Sequence, residues 1–306
     1  MRQVSTSIER CSRDRAVALV ACACMSILAS GCRTREQAPV ESSTGTAHEY
    51  TRLDRPDLQR LFFHPRKESG RPIEPETRQI TLKAQDGTRL TGRLHTAGPK
   101  APLILAFYGN GELAEDYEAV GVYYRSKGIS LLVFDYRGYG RSAGTPTVTD
   151  IMSDARWILS RLGEIEKEQD LQPVHRFVLG RSIGSAPAID VASVTRSGLD
   201  GLILDSAFAD TLPLLRVLGF TDEQHDFDEK RDGLGNLEKI AEVSVPVLLI
   251  HGEEDRIIPI RQAERLLAAT RSRPRRLVRI PRAGHNNLMN IGTAAYFGAI
   301  QEMVRK

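Results

Sequence analysis

Six short apolar runs without helical period constrain this chain more than any other feature. They are Leu103 to Phe107, Ile129 to Phe134, Phe177 to Leu179, Leu202 to Leu204, Val245 to Ile250 and Leu277 to Ile280. Continuous β-rich runs suit strands buried on both faces of a parallel sheet; a half-exposed strand would alternate apolar with polar residues. Amphipathic patterns at helical spacing lie between them: Leu113, Tyr117, Val120, Tyr124; then Ile151, Ala155, Ile158, Leu162; then Ala263, Leu266, Leu267, Thr270. The alternation predicts an α/β fold, a mostly parallel central sheet with helices on both faces. Upstream, residues 79–82 and 88–94 flank Asp86-Gly87, a hairpin signal. A length of 306 residues suits one large domain of this kind. Residues 208–242 interrupt the pattern with Pro213, several acidic residues and apolar clusters within 212–218. They read as an insertion, either a short cap over a site or a surface excursion.

The third run leads directly into Gly180-Arg181-Ser182-Ile183-Gly184, and a helix-like stretch, Ser185 to Val194, follows. Gly-x-Ser-x-Gly alone is a weak signal. Between a strand and a helix it reads as a nucleophile elbow, a sharp turn that holds the serine in a strained conformation. Side chains at 180 or 184 would collide with the neighbouring strand or helix as the turn closes. The following helix points its positive end at the serine, where an oxyanion would form.

Ligands gather at the carboxyl ends of strands in open parallel sheets. After Val247 to Ile250 comes His251-Gly252-Glu253-Glu254-Asp255, and after Leu277 to Ile280 comes Pro281-Arg282-Ala283-Gly284-His285. Ser182, Asp255 and His285 are thus candidates for nucleophile, orienting acid and general base. Asp205, after Leu202 to Leu204, is the rival acid. An oxyanion hole needs two N–H donors: Ile183, next to the serine, and Asn110 in Tyr108-Gly109-Asn110-Gly111 after the first run. His251, His175, His95 and His64 lack such context and read as structural or solvated. Asp135 and Arg137 read as a structural pair shaping their loop.

All four cysteines lie at Cys11, Cys22, Cys24 and Cys32, so the region that folds carries no disulfide framework and no cysteine metal site. The net charge of +3 gives no reason to expect a nucleic-acid partner. The basic run Arg271 to Arg276 reads as a solvated loop, with contact to lipid phosphates as the sharper alternative. Arg10, Arg13 and Arg15 precede an apolar stretch from Ala16 to Ala29, of the length of a secretory h-region. That stretch ends Leu28-Ala29-Ser30-Gly31-Cys32, which resembles a bacterial lipoprotein lipobox. The resemblance implies a signal peptide over 1–31, lipidation of Cys32, and a location on the bacterial cell envelope outside the cytoplasm; Arg33 favours the outer membrane. Residues 32–49 then read as the lipidated cysteine and a flexible polar tether, and residues 50–306 as the folded domain.

Five segments together resemble the α/β-hydrolase superfamily: Tyr108 to Gly111, Asp135-Tyr136-Arg137-Gly138-Tyr139-Gly140-Arg141-Ser142, Gly180 to Gly184, His251 to Pro259, and Ala283 to Asn286. The second, with Phe62-Phe63-His64-Pro65, is similar to the branch holding bacterial membrane-associated hydrolases, lysophospholipid hydrolases and depalmitoylating thioesterases. Relatives in that branch commonly carry His where this chain has Tyr108. The resemblance implies a cofactor-independent serine hydrolase, without a metal, that cleaves ester or thioester bonds of acyl-lipid-like or other small acyl substrates. A proline-type aminopeptidase and a non-catalytic binding lipoprotein are the alternatives.

Overall fold

The computed structural model describes residues 41–42, 50–70, 72–221 and 226–305. They fall within one compact unit, Ala38–Lys306. The expected leader, Cys32 and most of the expected tether lie outside the described residues.

The central sheet has eight strands: β1 (Thr77–Lys83), β2 (Arg89–His95), β3 (Leu103–Phe107), β4 (Ser130–Phe134), β5 (Arg176–Arg181), β6 (Gly201–Asp205), β7 (Val247–Gly252) and β8 (Arg275–Ile280). Their spatial order is 1-2-4-3-5-6-7-8. Strands β3 to β8 are parallel, and the hairpin predicted around Asp86-Gly87 adds β2 and β1 antiparallel at one edge. Every residue of β3 to β7 is buried, which explains the absence of alternation in their sequences. The edge strand β8 exposes Arg276 and Arg279, charges that discourage pairing with another chain.

The helices are α1 (Pro56–Phe62), α2 (Glu118–Ser126), α3 (Val148–Ser160), α4 (Leu162–Glu168), α5 (Ser185–Val194), α6 (Thr211–Val217), α7 (Glu229–Asp232), α8 (Asn236–Glu242), α9 (Arg261–Ala269), α10 (Leu288–Ile291) and α11 (Thr293–Val304). Helices α3, α5, α8 and α9 pack in series. Helices α2 and α11 form a second group, joined where Tyr123 and Tyr124 meet the Phe297 ring. Helix α5 is apolar all round, as a helix wedged between the sheet and other helices must be. Its one acid, Asp190, is fully buried and neutralised by Arg156 of α3 and Lys239 of α8, which ties three helices together.

The expected insertion is built from α6, α7 and α8. Phe208 and Leu234 from it join Ile183, Pro187, Met152 and Phe62 around an apolar pocket beside the Gly-x-Ser-x-Gly turn. Glu41–Ser42, inside the expected tether, pairs antiparallel with Thr195–Ser197. Among the described residues no helix is long and apolar enough to cross a membrane.

Candidate active site

Strand β5 ends at Arg181, and Ser182 takes φ of 51°, the left-handed region that a non-glycine residue enters at a cost. A 3-10 turn over Ser182–Gly184 then feeds α5. The turn is this tight because both flanking residues lack side chains. A Cβ on Gly180 would sit 2.5 Å from the Ala188 Cβ, and one on Gly184 would sit 2.2 Å from the Phe107 carbonyl oxygen. Ser182 points from the carboxyl end of the sheet and is 6 % exposed, buried yet reachable.

The loops after β7 and β8 bring the expected partners to it. His285 Nε2 lies 2.9 Å from Ser182 Oγ, and His285 Nδ1 lies 2.8 Å from Asp255 Oδ2. The other Asp255 oxygen accepts from the Ile257 and Ile258 N–H groups at 3.0 and 2.8 Å. Burial works to raise the Asp255 pKa, but hydrogen bonds from His251 and His285 and from the Ile258 N–H outweigh it. The carboxyl is held well below the usual carboxylate range and is ionised at neutral pH. Asp205 does not compete: its Oδ2 accepts from Tyr296 OH at 2.9 Å.

The loop after β3 closes the site from the other side. A Cβ on Gly109 would lie 3.3 Å from the Ser182 Cβ, so this backbone rests against the serine. The Asn110 N–H meets no acceptor among the described residues. The Asn110 side chain is anchored instead: its Oδ1 accepts from the His64 N–H at 3.1 Å and its Nδ2 lies 2.8 Å from His64 Nδ1. Ile183 begins the first turn after the serine, where helical N–H groups lack intrahelical partners. Tyr108 is fully buried beneath this loop. Its hydroxyl donates to Asp135 Oδ1 at 3.3 Å and accepts from the Tyr136 N–H at 2.9 Å.

One sequence expectation changes, and two of the histidines expected to be structural or solvated gain definite structural partners. Asp135 and Arg137 do not pair: Asp135 serves Tyr108 and the Ala114 N–H, while Arg137 forms a bidentate pair with Asp154 and reaches Asp86. His251 is part of the site's scaffold. Its Nε2 lies 2.7 Å from the Ile258 carbonyl oxygen and 3.4 Å from Asp255 Oδ2, and its buried Nδ1 has no partner. His64 holds Asn110 in the loop after β3. The His-Gly-x-x-Asp spacing was the available signal for His251: it puts both residues at the end of one buried strand. Cys32 lies outside the described residues.

Comparison with known proteins supports the same frame. The model of the family described as "Serine aminopeptidase, S33" matches residues 98–219. An uncharacterised protein of Mycobacterium tuberculosis is 33% identical over 244 residues, covering 75% of this chain and 80% of the relative. Alpha/beta hydrolase domain-containing protein 17B of Xenopus tropicalis is 29% identical over 209 residues, covering 66% and 67%. An esterase of Pyrococcus furiosus superposes with a TM-score of 0.65 over 80% of this chain and 97% of its own, at 16% identity, which speaks to the fold alone. With that identity and coverage, the chain belongs to the α/β-hydrolase superfamily, in one family with the mycobacterial protein.

Proposed function

We propose that this hydrolase cleaves carboxylic ester or thioester bonds through an acyl-enzyme intermediate, with Ser182, His285 and Asp255 as its catalytic triad. The observation that carries the reading is the continuous relay from Ser182 Oγ through both ring nitrogens of His285 to an ionised Asp255. In this scheme Ser182 Oγ attacks the acyl carbonyl carbon while His285 Nε2 takes its proton. Asp255 fixes the tautomer and stabilises the imidazolium. The Asn110 and Ile183 N–H groups receive the tetrahedral oxyanion, each worth about 10²–10³ in rate. Collapse breaks the bond to the alkoxide or thiolate, which leaves with the proton from His285. Water then repeats the cycle on the acyl-serine.

The apolar pocket beside Ile183 supports a hydrocarbon acyl group as substrate. The aminopeptidase alternative needs acids free to grip an amine. Three acids of the insertion already have partners: Glu229 caps the Thr211 and Leu212 N–H groups, Asp228 caps the Arg231 N–H, and Asp226 pairs with Arg231. We further propose that lipidation of Cys32 tethers the enzyme to the bacterial envelope, outside the cytoplasm and at the outer membrane where one exists. Support for this comes from the sequence of residues 10–32.

A fluorophosphonate probe should label the wild type and spare Ser182→Ala; equal labelling would overturn the nucleophile assignment. p-Nitrophenyl esters of graded chain length should outrun aminoacyl anilides, and the reverse order would favour the aminopeptidase. Cys32→Ser should leave the membrane fraction, and unchanged partitioning would remove the anchor.

A further inference from the structure

We propose that Arg181, the residue between Gly180 and Ser182, is a positioning residue that locks the oxyanion loop and the His285 loop into one mutual alignment. The proposal rests on the reading of Ser182 as nucleophile. Arg181 is 8 % exposed at the end of β5. On one side, its Nη1 pairs with Glu112 Oε1 at 2.5 Å. The second oxygen of Glu112 accepts from the Gly109 N–H and from Tyr117 OH, both at 2.9 Å, which fixes the backbone just before Asn110. On the other side, Arg181 Nη2 donates to the His285 carbonyl oxygen at 3.1 Å and to Asn286 Oδ1 at 3.3 Å. Its Nε lies 4.0 Å from Asp205 Oδ2.

One guanidinium therefore touches the loop that carries the general base and, through one carboxylate, the loop that carries an oxyanion donor. It belongs to the residue next to the nucleophile. The site makes room for it: a Cβ on Gly109 would lie 2.5 Å from Arg181 Nη1. Only a planar fork with several fixed N–H donors spans this arrangement; an ammonium group is a point charge that reaches one loop or the other. The charge is balanced by Glu112 and by the fully buried Asp205, so the group needs no substrate anion to complete it.

The alignment matters in the transition state, when the oxyanion donors and the imidazole act on the same carbonyl together. Its loss should lower kcat and leave KM nearly unchanged. The test compares full-length wild type with Arg181→Lys, Arg181→Ala, Glu112→Gln and Ser182→Ala. The readouts are kcat and KM on a p-nitrophenyl ester, plus thermal melts. Arg181→Lys should melt cooperatively and lose about 10–100-fold in kcat, with KM within about three-fold, the scale of an ångström-size misplacement. Glu112→Gln should shift in the same direction. Millimolar guanidinium should restore part of kcat to Arg181→Ala and do nothing for Ser182→Ala. Should the Arg181 variants fail to fold, Glu112→Gln decides, because it keeps the cation beside the buried Asp205: a loss in kcat at nearly constant KM supports the proposal and a wild-type kcat overturns it. A folded Arg181 variant with wild-type kcat overturns the proposal, as does a loss expressed only in KM. If Ser182→Ala itself turns over ester at the wild-type rate, the nucleophile reading falls first; if it is dead while Arg181 variants stay fast, only this inference falls.

Discussion

Replacing Gly184 with Ala tests the elbow at its tightest point. The added Cβ would lie 2.2 Å from the Phe107 carbonyl oxygen, 2.5 Å from its carbonyl carbon and 2.6 Å from the Tyr108 carbonyl oxygen. All three are backbone atoms at the end of β3, so no side-chain rotation relieves them. Helix α5 or the oxyanion loop must retreat by roughly 1 Å to restore ordinary contact distances. Overpacking of this kind costs about 1–3 kcal/mol. In a domain of this size each kcal/mol moves Tm by roughly 2–4 °C, so the melt should fall by roughly 2–12 °C. The retreat separates Ile183 from Asn110, and an error of that size costs on the order of 10² in rate. Gly163→Ala in α4 is the matched control, because its Cβ would meet nothing within 4 Å. It should gain about 0.5–1 kcal/mol and keep full activity. Differential scanning fluorimetry and p-nitrophenyl ester hydrolysis read both effects. A Gly184→Ala protein with unchanged Tm and rate would refute the argument that α5 presses on β3 through this glycine.

Three further outcomes follow from the same geometry. Asp255→Asn should keep the fold and lose roughly 10⁴ in kcat, because an amide cannot hold His285 in the right tautomer; steady-state kinetics checks it. Tyr108→Phe removes the hydroxyl that the buried Tyr136 N–H donates to, and should cost about 1–3 kcal/mol by urea denaturation. Burial pushes the Asp135 carboxyl up from 3.8 to about 6, so the folded state keeps this proton after the unfolded state has released it. Stability from this group is therefore complete below about 4 and is lost as pH rises through 6. The Tm of Asp135→Asn relative to wild type should rise across that window, and a flat difference would refute the shift.

The sheet was legible because β3 to β7 are buried on both faces and their sequences carry no competing period. The positions of Ser182, Asp255 and His285 were legible because strand ends are. What the sequence hid are side-chain contacts between segments far apart in the chain. Asp135 and Arg137 are neighbours in sequence with opposite charges, yet their loop turns them toward different partners, Tyr108 and Asp154. His64 gave no local sign of reaching Asn110 across 46 residues. The environment of Arg181 depends on three loops whose relative placement only packing decides.

The anchor of Asn110 ties the segment ahead of the sheet to the candidate site. Asn110 is held by His64, and the segment before it is strapped to the body by the Tyr50 N–H on Thr149, by Asp54 on the Val148 N–H and by Lys239 on Tyr50 OH. Between this strap and the first strand runs an exposed stretch containing Arg66 and Lys67. A trypsin-like protease that cut there would spare every residue of Ser182, His285 and Asp255, yet break the covalent link between the sheet and the strap that steadies the oxyanion loop. Such a cut should therefore lower activity with all three residues still in place, because the segment from Tyr50 to His64 packs as one folded unit with the sheet.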